Sequence, residues 1–176
     1  MLKFLAASFL SLFFIHTAFS AIWIEPYLGI NISGQYKLDS AGTTRDYDNY
    51  PLFLGGRLGG AVTIFQFGLD YMKSAGVELE GDTNKYKITE LGAFVGVKLP
   101  LLVRGYIEYI ISSEFSDTNA TYDEGSGFKA GIGYTGLPLV IINVEVRQVA
   151  YDKYNGGGRD MDNKSTALTV SLPLSL

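Results

Sequence analysis

The stretch Ala167-Leu168-Thr169-Val170-Ser171-Leu172-Pro173-Leu174-Ser175-Leu176 puts a large aliphatic residue at every even position and a small or polar one at nearly every odd position. Successive side chains of an extended strand point to opposite faces, so this segment is a ribbon with one apolar and one polar face. Seven earlier stretches read the same way, at about residues 22–38, 50–63, 65–72, 86–99, 102–113, 128–135 and 139–151. In the first, Leu28, Ile30, Ile32, Tyr36 and Leu38 share one face, and Glu25, Tyr27, Asn31, Ser33 and Gln35 the other. In the fifth, Val103, Ile107, Tyr109 and Ile111 oppose Arg104, Tyr106, Glu108 and Ser112. In the seventh, Val140, Ile142, Val144 and Val146 oppose Asn143, Glu145 and Arg147.

The connections alternate in length. Those near Ile64, Pro100 and Leu137 are short and apolar, whereas residues 39–49, 74–85, 114–126 and 152–164 read as long hydrophilic loops. The polar strand faces carry Glu25, Arg57, Asp70, Glu90, Lys98, Arg104, Glu108, Lys129, Glu145 and Arg147, five acids matched by five bases. A soluble barrel holding an apolar ligand would turn the aliphatic face inward and leave these charges in water. Gly92, Gly96, Gly131 and Gly133 lie on the charged face, where a crowded narrow interior needs them. The pattern therefore predicts an all-β, eight-stranded antiparallel up-and-down transmembrane barrel, with hydrocarbon outside and an ion-paired interior. The soluble periplasmic carrier is the alternative architecture.

Residues 1–20 have the layout of a secretory leader: Lys3, an apolar run from Phe4 to Ile15, and small residues at Ala18 and Ser20. Residues 21–176 then form one barrel domain. The run is shorter than the ~20 residues that a spanning helix needs. The chain has no cysteine, so disulfides, thiolate chemistry and a lipidated N-terminal cysteine are excluded. Its net charge of −4 argues against nucleic acid as a partner.

These features together resemble the small eight-stranded outer-membrane barrels, such as outer-membrane protein X and the transmembrane domain of outer-membrane protein A. The resemblance runs from about Ile22 to Leu176 and rests on architecture. Those barrels usually close on an aromatic residue, where this chain has Leu176 with Pro173 nearby. The resemblance implies a monomer in the outer membrane, with outer-membrane lipids, lipopolysaccharide and the assembly machinery as partners. It also implies a structural or adhesion-like role through four external loops, with a narrow ion or small-solute pore as the alternative.

Enzymatic outer-membrane barrels imply a histidine base, and the only histidine here is His16, within the expected leader. No enzyme activity, cofactor or metal is expected. Gly131-Ile132-Gly133-Tyr134-Thr135-Gly136 matches a dinucleotide fingerprint in letters, but Leu137-Pro138 and the run after it read as turn and strand, not helix. The loop residues Asp46, Tyr47, Asp48, Asp117, Tyr122, Asp123, Tyr154, Arg159, Asp160 and Asp162 are the candidates for contact with a surface ligand. Trp23, Tyr27, Phe65, Phe67, Tyr109, Tyr134 and Tyr151 read as girdles at the membrane interfaces.

Overall fold

Period-two alternation of this kind has few places to hide its backbone in hydrocarbon, and the chain takes the closed one. The computed structural model describes residues 21–38, 43–47, 49–78, 80, 84–116, 121–154 and 157–175. The expected leader lies outside the described residues. The strands are β1 (Ala21–Leu38), β2 (Thr43–Asp46), β3 (Leu52–Val62), β4 (Phe65–Glu78), β5 (Lys85–Leu99), β6 (Val103–Ser116), β7 (Thr121–Tyr134), β8 (Ile141–Tyr154), β9 (Gly157–Ser171) and β10 (Leu174–Ser175). Antiparallel pairing runs β1-β3-β4-β5-β6-β7-β8-β9, and β9 pairs back on β1 to close a ring of eight. β2 folds back on the end of β1, and β10 continues the line of β9 after Pro173 interrupts it, pairing Leu174 with Ile24.

The aliphatic face points outward. Leu28, Leu54, Leu69, Val95, Ile107, Ile132, Val144, Leu168 and Val170 are all exposed, as are Phe65, Phe67, Tyr109 and Tyr134. Trp23, Tyr27 and Tyr151 are instead buried inside and belong to no girdle, because each falls on the inward phase of its strand.

Two departures from the expected faces share one cause. A register shift between Asn31 and Ser33 turns the upper part of β1 over, so Tyr36 is buried while Ser33 and Gln35 face out. An irregularity at Ile110–Ser113 likewise sends Ser112 outward and Ser113 inward. An extra residue in one strand reverses every side chain beyond it.

The strands also run well into the segments expected as loops. Beyond the aliphatic belt the polarity of the wall inverts. Gln35, Lys37, Lys73, Lys87, Glu114, Gln148 and Asp152 are exposed on the outside. Tyr36, Val77, Tyr86, Ile88, Ile110, Phe115, Tyr122, Val149, Tyr151 and Met161 pack together inside. Phe115 stacks on Tyr86 with ring centroids 4.6 Å apart. This end of the barrel is built as a water-soluble β protein is, with a dry core and wet walls, so the line of inversion marks the edge of the hydrocarbon.

Candidate functional site

The lower lumen is filled by ion pairs. Arg57 on β3 is the hub and is only 2% exposed. Its Nη1 donates to Glu25 Oε1 at 3.0 Å, its Nε to Asp70 Oδ2 at 3.1 Å, and its Nη2 to Glu145 Oε1 at 2.9 Å and to the Tyr106 hydroxyl at 2.7 Å. The guanidinium carbon also lies 4.6 Å from the ring centroids of both Tyr27 and Tyr106. Planar, always charged and carrying five donors, this is the side chain best suited to joining three carboxylates at once.

Arg104 forks onto Glu25, with Nη1 to Oε2 at 2.6 Å and Nη2 to Oε1, and its Nε donates to Asn143 Oδ1 at 2.9 Å. Lys129 bridges Asp70 at 2.8 Å and Glu108 at 2.9 Å. Higher in the lumen Arg147 pairs with Glu90 at 3.3 Å, and Ser113 donates to the same carboxylate at 3.0 Å. Tyr27 donates to Asp70 at 2.7 Å, and Thr169 to Glu145 at 2.9 Å.

Nine of the ten expected lumen charges are thus brought together and buried. Lys98 is not among them. It holds the inward phase of β5 one residue before the strand ends at Leu99, so its side chain is exposed at the open rim. The enclosed set is five carboxyls against four cations, not five against five. Tyr27, Tyr106, Asn143, Ser113 and Thr169 are members that a search for charges alone passes over, although all but Ser113, which the β6 irregularity turns inward, lie on an inward phase.

The wall is thinned to fit this filling. A Cβ added at Gly131 would meet the Tyr106 ring at 2.5 Å, whereas one at Gly56, on the outer face, would meet nothing within 4 Å. Gly131→Ala is expected to lower stability by about 1–3 kcal/mol, the usual cost of overpacking. Gly56→Ala should stay within about 0.5 kcal/mol of the parent. The urea midpoints of the two refolded variants check this.

The loop candidates divide. Asp46 and Asp160 are exposed, and Asp123 and Asp162 half-buried. Tyr122 is buried with its hydroxyl 3.1 Å from that of Tyr36, and half-buried Tyr47 exchanges hydrogen bonds with Asn163. Both tyrosines cap the apolar core inside the mouth and are not loop tips. Tyr154 and Arg159 fall in β8 and β9, but their side chains, like Asp48 and Asp117, lie outside the described residues. On the rim Lys153 pairs with Glu124, whose carboxylate raises the lysine's pKa above its ordinary value. Both groups are exposed, so salt screens the pair. Among the described residues no three His, Cys, Asp or Glu side chains converge on a metal-sized site.

No family model matches the sequence, and no curated protein does either. Solved structures do match. Neisserial surface protein A, 15% identical, is covered over 97% of its length by 86% of this chain, with a TM-score of 0.53. Ail, the attachment invasion locus protein of Yersinia pestis, solved with the heparin analogue sucrose octasulfate, is 11% identical with a TM-score of 0.55, covering 86% of this chain and 99% of its own. The chain has the fold of the small eight-stranded outer-membrane barrels. At these identities the likeness is one of fold. It places the ion-paired lumen within a membrane β-barrel, below the inverted, water-facing half.

Proposed function

We propose that the protein is an integral outer-membrane barrel, exported by a cleaved leader spanning residues 1–20, that seals its own lumen and works through its outer end. Its role is envelope integrity or surface interaction, and it is neither a pore nor an enzyme. The observation that supports this most is the two-layered filling: a hydrogen-bonded ionic layer around Arg57 below, and an aromatic layer around Phe115 above. An ion crossing the barrel would have to break charge-assisted bonds and then enter a dry aromatic core, and both steps are costly. The extended strands carry the outer end clear of the lipid, where Asp46, Asp160 and the rim pair Lys153–Glu124 are accessible to a partner. The likeness to Ail, solved with a heparin analogue, fits a surface-recognition role.

Planar-bilayer recording tests the sealed lumen. The refolded protein should add no steady single-channel steps. Steps that change in size when Arg57 or Glu108 is neutralised would establish the narrow pore in its place.

A further inference from the structure

The outer wall is not evenly covered. Across β5 to β8 the outward register row reads Val97, Gly105, Ile132, Val144, and the next row reads Val95, Ile107, Ala130, Val146. Gly105 and Ala130 leave a hollow between larger neighbours. A Cβ at Gly105 would find nothing nearer than the Gly131 carbonyl oxygen at 3.9 Å. This recess, about 680 Å³ and lined by apolar residues and glycines with Tyr106, lies within the hydrocarbon belt.

It does not end there. A second recess of about 870 Å³ shares Ile107, Ala130 and Val146 with the first and climbs past the belt toward β1. In register, Val146 leads to Thr166 and Ser33, and the row above runs Phe128, Gln148, Lys164, Gln35. Lys164 is exposed, faces glutamines on both neighbouring strands, and forms no ion pair among the described residues. Asp46 lies on the far side of Gln35, across the β1–β2 pairing. The trough is therefore dry at one end and polar at the other. Its two ends are separated along the membrane normal as the parts of a lipid are.

We propose that this trough is a binding site for one phospholipid: an acyl chain lies over Gly105 and Ala130, the phosphate meets Lys164, and the terminal headgroup donor meets Asp46. A second copy of the chain fits less well, because a protein neighbour would leave the lone cation and its glutamine flanks facing an apolar contact. This inference rests on the membrane reading of the barrel.

Native mass spectrometry of the refolded barrel in detergent, with phosphatidylethanolamine and a diacylglycerol of the same chains as probes, tests it. The parent should retain a single phosphatidylethanolamine. Gly105→Leu, whose Cβ meets no atom closer than 3.9 Å, puts a side chain into the hollow and should weaken retention of both probes about ten-fold or more, as loss of about two buried methylenes does. Lys164→Gln should weaken phosphatidylethanolamine about ten-fold and leave the diacylglycerol unchanged. Equal retention by all three proteins, or a dimer that Gly105→Leu abolishes, would overturn the site. Heat-modifiable gel migration, measured on each protein, separates the two readings. If migration is kept while selective retention is absent, the trough alone fails. If heat-modifiability is absent in the parent, the membrane barrel fails with it.

Discussion

Replacing Arg57 by methionine should cost more than any other single change in the barrel interior, about 3–5 kcal/mol of unfolding free energy for each buried partner set left uncompensated. The reason lies in what stays behind. Glu25, Asp70 and Glu145 each lose a charge-assisted bond of 2.9–3.1 Å, and none can turn toward water. The enclosed charge goes from five carboxyls against four cations to five against three. Adding Glu145→Gln brings it to four against three, the native difference of one, and should recover part of the loss. Lys98→Met removes a cation that the sequence pattern equates with Arg57, yet it should shift stability by less than about 0.5 kcal/mol because that side chain is exposed. Urea titration in lipid vesicles, followed by the fluorescence of Trp23, reads all four proteins. Trp23 is the only tryptophan, buried 5.8 Å from the Phe94 ring in the lower lumen, and reports directly on opening of the interior. A loss of under about 1 kcal/mol for Arg57→Met would show that the network fills space without holding the barrel together.

Lys98 and Arg57 mark what a sequence of this kind discloses and what it withholds. Alternation assigns a face, and Leu168, Val170, Val144 and Arg57 all point where their parity places them. Parity says nothing of depth, so Lys98 counts as lumenal until the end of β5 at Leu99 is known. Parity also fails wherever the ladder slips: Tyr36 and Ser112 lie beyond shifts that no local residue type announces. The outer half was hidden for another reason. Val77, Tyr122 and Met161 sit in segments whose Gly, Asp and Asn content reads as loop. Charges outside and aromatics inside still alternate there, but with the opposite meaning to the belt, and only pairing across strands makes the core visible. The ionic layer was legible as a set of charges. Which acid meets which base was not, because tilt and register decide it.

Val144→Arg should destabilise the barrel by about 2–4 kcal/mol in a bilayer, the range for a cationic side chain facing lipid near mid-depth. Val144 is half exposed on β8, flanked on the same face by exposed Ile142 and Val146. Ala150→Arg lies on the same strand and the same outer face, but above the line where Gln148 and Asp152 replace the aliphatics, and should cost about 0–1 kcal/mol. The comparison isolates the solvent, since strand, face and introduced group are shared. Were the aliphatic wall bathed in water, both would be ordinary surface substitutions within about 0.5 kcal/mol. Vesicles of thinner lipids sharpen the test. Shortening the acyl chains brings the headgroup region closer to Val144, so the arginine reaches water more cheaply and its penalty should shrink, while Ala150→Arg stays unchanged. A penalty for Val144→Arg that ignores bilayer thickness would trace the cost to packing within the wall, and the hydrocarbon boundary drawn at the polarity inversion would then be misplaced.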